Sequence, residues 1–396
     1  MKSAALLDSE SFSLVLGGPL FRLWRRAHLS GDTLELLKRR IVIITLIAWL
    51  PLLLLSALEG QLFRGSAAAP FLLDVGVHVR FLVAVPLLIG AELLVHQRLR
   101  PLIRQFLDRQ IIPDDATEEF DAAIRSSTRL RDSVLAEVLQ IALVYGVGVL
   151  VIWRSYVSYN VETWFAVPSA HGPILSYAGM WYGYVSLPIF QFLLCRWYYR
   201  LAIWARFLWL VSRIKLNLIP THPDRLAGLG FLPNAIYAFA PIAVAHGFLM
   251  AGQIGNRILY LGATLPEFKV PIAALAVVMM VIMFAPLMLF TPQLAQAKRD
   301  GNREYGILAA RYVREYDWKW LRGGAPADEA FVGSSDIQSL ADLGNSMEVV
   351  RTMNVMPVSK DSIVRILAAV LLPIAPLTLT MMPLEELLKM LFGLVF

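Results

Sequence analysis

Long uninterrupted apolar runs constrain this chain more than any other feature. Residues 41–58, 235–254 and 270–290 contain no Asp, Glu, Lys or Arg, and further apolar runs at 71–95, 134–153, 174–204 and 363–379 hold only a few. A helix needs about 20 apolar residues to cross the roughly 30 Å hydrocarbon layer, and these runs meet or approach that length. With 57% hydrophobic and only 17% charged residues, the chain carries more apolar surface than one water-soluble core can hide. Alternating segments of the outer-membrane barrel kind are absent. The expectation is therefore an all-α, polytopic transmembrane bundle of about seven spans with helical cytoplasmic segments.

Charge sets the expected orientation. If the N-terminus is inside, segments 1–40, 97–133, 206–233 and 293–362 are cytoplasmic and hold 27 of the 36 Lys and Arg residues. That asymmetry is the positive-inside pattern. The basic residues flank apolar runs instead of forming a soluble domain, so the +6 net charge argues for anionic lipid as partner and against nucleic acid. No secretory signal is expected, because the first basic cluster follows a weak apolar stretch. In that cluster Phe21, Leu23 and Trp24 alternate with Arg22, Arg25 and Arg26, which suits an interfacial helix within residues 1–40. Tail residues 383–396 read as a second interfacial or re-entrant helix.

Between spans two and three, Asp114, Asp115, Glu118 and Glu119 precede Arg125, Arg129 and Arg131, the charge order that a helix macrodipole favours. Prolines recur inside the runs at Pro51, Pro86, Pro188, Pro241, Pro286, Pro373 and Pro376. Each removes a backbone donor and bends its helix, and kinked spans can line a cavity or hinge. Gly179 and Gly183, and Gly247, Ala251 and Gly255, have the small-xxx-small spacing of close helix contacts. They could serve within one chain or between chains, which leaves a homo-oligomer open.

Ionisable and polar residues within the spans are the default candidates for a pathway, because hydrocarbon penalises them. His246, Gln253, Glu137 and Glu92 form the candidate intramembrane path, with His78, Arg80, Gln140 and Gln191 as further polar positions. Glu92 and Glu137 near the inner ends could equally snorkel or form an interfacial ion pair. Arg196 and Arg200 share a helix face and repel unless an anion, lipid phosphate or carboxylate meets them; anionic lipid at the inner leaflet is the expected partner. The loop Thr221-His222-Pro223-Asp224-Arg225, followed by Gly228 and Gly230, reads as a shaped cytoplasmic turn, with His222, Asp224 and Arg225 as candidate gate residues. No metal site, cofactor or catalytic set is expected. Two ligands do not make a metal site, Gly228 and Gly230 lack a nucleotide fingerprint, and Cys195 reads as a small core residue. In 334–353, Ile337, Leu340, Leu343, Met347 and Val350 fall on one helix face that Ser335 or Asp336 could cap.

Three motifs, THPDRLAGLGFL at 221–232, YGILAARYVREYDWKWLRGGAP at 305–326 and SSDIQSLADLGNSMEVVRTM at 334–353, together with PLEELLK at 383–389, resemble a family of bacterial multi-pass inner-membrane proteins of uncharacterised activity. Ala227-Gly228 departs from the two glycines of that pattern. The resemblance implies a bacterial inner membrane and supplies no activity. Kinked spans, intramembrane polar groups and the lack of catalytic motifs favour an ion channel or small-solute transporter gated from the cytoplasmic side. The alternatives are a sensor or scaffold acting through 293–362, and a membrane-embedded enzyme acting on lipid.

Overall fold

The computed structural model describes residues 12–19, 36–63, 70–153, 163–167 and 174–381. They form an all-α bundle: α1 (Leu37–Leu58), α2 (Val75–Asp108), α3 (Thr117–Arg131), α4 (Val134–Val151), α5 (Tyr177–Val211), α6 (Ala235–Leu261), α7 (Lys269–Met288), α8 (Thr291–Tyr316), α9 (Ser335–Arg351) and α10 (Lys360–Leu371). One two-residue hairpin, β1 (Ala166–Val167) with β2 (Ile174–Leu175), precedes α5. Among the described residues six helices are long and apolar enough to cross a membrane, and a seventh span results if α10 and the 3₁₀ turn Ala375–Met381 count as one bent element.

Helices α2, α5 and α6 form the interior, and α1, α4 and α7 lie outside with far less of their surface covered. Val42, Leu46, Leu54, Leu135, Leu139, Val277 and Val281 face outward. Water would penalise such a surface and lipid does not, so this is an integral membrane protein. One end of the bundle carries the start of α1, the ends of α2 and α5, and helices α3, α8 and α9; it is called the polar end below.

Several expected boundaries shift. The second apolar run does not stop at residue 95: α2 continues to Asp108, and α3 packs on α5, so the expected loop 97–133 is mostly helix. Leu99, Leu102, Ile103 and Phe106 make the continuation amphipathic and bury it. Asp114, Asp115, Glu118 and Glu119 occupy the first turns and Arg129 and Arg131 the last, as the macrodipole favours. Residues 174–175, read as the start of span four, belong to the hairpin instead. The last span is bent by 53° between Leu371 and Ala375, where Pro373 cannot continue the helix. The predicted interfacial helices around 21–26 and 383–396 lie outside the described residues. Residues 12–15, part of the expected interfacial segment, are instead buried in the bundle.

The polar end is finished by α8 and α9, which pair with each other. The predicted cap of α9 is replaced: Ser334 occupies the N-cap without a side-chain bond, and the Asp336 carboxylate accepts from Lys319 Nζ and Trp320 Nε1, both at 2.9 Å. Of the predicted apolar face of α9, only Val350 is fully buried, and Ile337 is exposed. The helix therefore docks mainly along α8.

Candidate functional site

Three membrane-spanning helices place charged side chains against one another near the polar end. Helix α1 brings Arg40, α2 brings Glu92, and α5 brings Arg196 and Arg200 one turn apart. Their exposures are 0%, 2%, 6% and 3%, low enough to separate them from bulk water. Glu92 divides its carboxylate: Oε2 accepts from Arg40 Nη2, and Oε1 accepts from Arg200 Nη1 at 2.8 Å. Arg196 lies in the field of the same carboxylate and of Glu137. A lone charge here would carry a penalty of several kcal/mol, which close pairing offsets.

The neighbouring turn fixes the register of α5 against α2. Trp197 Nε1 donates to the Leu88 carbonyl at 2.8 Å, and the Arg200 guanidinium stands 4.8 Å from the Trp197 ring centroid. Leu88 is one turn before Glu92, so a single rotational setting of α5 serves both contacts. Arg200 Nη2 is buried and, among the described residues, has no hydrogen-bond partner. The two N–H groups of that nitrogen are therefore held in reserve.

Nearer the opposite end the helices carry wide π-helical turns, Val79–Ala84 in α2 and Tyr182–Ser186 in α5, each two residues before a proline (Pro86 and Pro188). The missing proline N–H loosens the preceding turn. These turns face each other: Arg80 donates to the Tyr182 hydroxyl, and the Phe81 and Tyr182 rings lie 6.1 Å apart. Beyond them Asp74 accepts from Asn256 Nδ2 at 2.8 Å and from Trp164 Nε1 at 3.0 Å, tying α2, α6 and the hairpin region together. His78 accepts from Trp49 Nε1 and bonds the Leu72 carbonyl, so both its nitrogens are engaged.

The remaining candidates divide clearly. His246 sits half-buried with Nδ1 2.7 Å from the Ile242 carbonyl and Nε2 2.5 Å from the Tyr198 hydroxyl. A carbonyl only accepts, so Nδ1 carries a proton, and the hydrogen bond between Nε2 and the Tyr198 hydroxyl links α6 to α5, leaving neither ring nitrogen without a partner. Gln253 is exposed on the outer surface and does not join an internal path with His246. Glu137 is half-buried at the start of α4. Glu92 does not snorkel to the interface, because it is enclosed by two guanidinium groups. Arg200, expected to meet lipid phosphate, meets a carboxylate of its own chain.

The His222 loop is a turn built around one carboxylate. Asp224 Oδ1 accepts from Leu226 N at 2.8 Å and Gly228 N at 3.1 Å, and Oδ2 accepts from Gly230 N at 2.8 Å. His222 Nδ1 lies 2.9 Å from Oδ1. Burial pushes the Asp224 carboxyl up, but the three backbone donors and His222 outweigh it and hold the group below its ordinary value. Arg225 and Ala227 adopt φ of 54° and 53°, and the Arg225 carbonyl accepts from Asn354 N at 2.8 Å. The loop thus anchors the connection after α9. Among the described residues no group of three or more His, Cys, Asp or Glu side chains could hold a metal ion.

Arg40 was hidden in the sequence among the basic residues that precede the first apolar run, and nothing marked it as internal. Its position directly before Ile41, at the edge of a charge-free run, was the available signal. Comparison with protein-family models, curated proteins and solved structures finds no match.

Proposed function

We propose that this membrane protein conducts or transports an ion or small solute, with the Arg40–Glu92–Arg200 centre as the charged station on its route. The observation that carries this reading is the meeting of charged groups from three spanning helices in a water-excluded bundle, where ionisable residues usually mark pathways. The paired π-helical turns ahead of Pro86 and Pro188 support it, since they give α2 and α5 matching places to flex. The positive-inside pattern supports a bacterial inner membrane with the polar end in the cytoplasm. The exposed Arg98, Arg100, Arg104 and Arg109 at the polar end of α2 fit anionic lipid.

The test is ion flux from salt-loaded proteoliposomes containing the parent protein, Glu92→Gln, Arg200→Gln or His246→Ala. Protein-dependent flux that falls at least tenfold in the first two variants and stays near parental in the third is expected. Flux equal to that of empty vesicles under imposed pH, voltage and osmotic gradients would overturn the reading, as would flux indifferent to Glu92 and Arg200. A second reading, a scaffold acting through α8, α9 and their connection, is favoured by exposed Ile307 on α8 and exposed Trp318, Leu321 and Val332 between the two helices. It predicts loss of partner capture, with flux absent throughout, when Ile307 and Trp318 are replaced by Ser.

A further inference from the structure

A short segment without helix or strand is packed into the polar end, directly below the charged centre. Phe12, Leu14 and Val15 are 2%, 2% and 1% exposed, as buried as the core of the bundle. Ser13 Oγ accepts from the N–H groups of Val15 and Leu16 at 3.1 and 2.9 Å, so the segment satisfies part of its own backbone. Side chains of the helices reach in to hold it: His96 Nδ1 lies 3.0 Å from Ser13 Oγ, and Arg131 Nη1 donates to the Ser13 carbonyl at 2.6 Å. The Phe12 and Phe207 rings lie 5.4 Å apart.

Each of these anchors is tied to the centre by helix geometry. His96 is one turn beyond Glu92 on α2, and Phe207 is two turns beyond Arg200 on α5, so both stand on the faces that carry the charges. On the third side, a Cβ added to Gly18 would lie 3.1 Å from Glu137 Oε1, the carboxylate whose field acts on Arg196. The segment is therefore packed among α2, the α3–α4 corner and α5, next to the turns that carry Glu92 and Arg200.

We propose that residues 12–18 are an intramolecular plug that closes the polar-end approach to the Arg40–Glu92–Arg200 centre and withdraws to open it. A segment bonded to itself and held mainly by side chains can leave without breaking a helix or sheet ladder. Gly17 (φ 136°) and Gly18 (φ 88°) supply the flexible joint at its end, and Gly17 has a second role. A Cβ there would fall 2.5 Å from Arg131 Cζ, so only glycine lets that guanidinium lie across the chain and clamp the Ser13 carbonyl. That the opened approach carries flux rests on the transport reading; that the plug covers the centre does not.

Two measurements test the proposal separately, both in full-length protein with Cys195→Ser as background. The first is the rate at which a charged, membrane-impermeant methanethiosulfonate labels His96→Cys, with and without the double substitution Phe12→Asp/Val15→Asp. At least a tenfold faster rate in the substituted chain, with helical content retained, is expected. An unchanged rate overturns the plug, and so does loss of the fold, because the segment would then be part of the core. The second is flux through Ser13→Cys/His96→Cys before and after bridging by a short bifunctional thiosulfonate. Bridging should reduce flux at least tenfold and reductant should restore it; equal flux in both states overturns the gating role. Faster labelling with no flux in any variant would uphold the plug and sink the transport reading.

Discussion

Replacing Glu92 by Gln tests the central energetic claim. The substitution keeps shape but leaves the guanidinium groups of Arg40 and Arg200 facing an amide, whose nitrogen can only donate to a neighbour that also only donates. At about 4 Å and an effective dielectric of about 20, each lost ion pair weakens attraction by roughly 4 kcal/mol, much of which the desolvation of the two charges had already cancelled. Removing one partner of a buried pair costs about 3–5 kcal/mol, because the other charge stays behind. Glu92 serves two arginines, so the upper part of that range is expected, a large fraction of the typical 5–15 kcal/mol total. Unfolding in mixed micelles titrated with dodecyl sulfate would read the difference. The triple replacement Arg40→Met/Glu92→Leu/Arg200→Met should recover most of the loss, since of the buried cluster only Arg196 then keeps its charge, freed from the repulsion of Arg40 and Arg200 and still in the field of Glu137. A Glu92→Gln protein within about 1 kcal/mol of the parent, or a triple replacement less stable than the single one, would refute the argument.

Other expected outcomes follow from the geometry. Asp224→Ala should lower stability on the order of 3 kcal/mol, because the N–H groups of Leu226, Gly228 and Gly230 lose their acceptor in a partly buried turn. Since the folded carboxyl lies below its unfolded value of about 3.9, this contribution is complete above that pH and is lost as pH falls through the lower folded value. The stability gap between parent and Asp224→Asn should therefore be constant near neutrality and shrink only in strong acid, as thermal melts across pH would show. Gly247→Ala should destabilise by roughly 1–3 kcal/mol, because its Cβ would meet the Val370 carbonyl at 2.3 Å and force α6 from α10. Gly255→Ala, whose nearest neighbour would be Leu377 Cδ2 at 3.7 Å, should be neutral by the same measurement.

The architecture was legible because hydrophobicity and helix length are local properties. Residues 41–58 cannot avoid being an apolar helix in any context, and the acidic-then-basic order around α3 describes a dipole that exists before any packing. The same reasoning found the small residue at Gly247 and the special turn at 221–230, since glycine tolerance and carboxylate capping are written within a few residues. It failed where a side chain's setting was decided by what another helix supplied. Arg40 looks like one more basic residue before a span, and Arg196 and Arg200 look like a lipid-facing pair, until α1, α2 and α5 converge on Glu92. Ser13 looks unremarkable until His96 and Arg131, 83 and 118 residues away, close on it. Periodicity says which face of a helix is apolar; it does not say which face meets which neighbour. The sequence by itself determined that this chain enters a membrane as helices, while tertiary packing alone decided which charges are buried, because the free energy of a buried ion depends on partners drawn from anywhere along the chain.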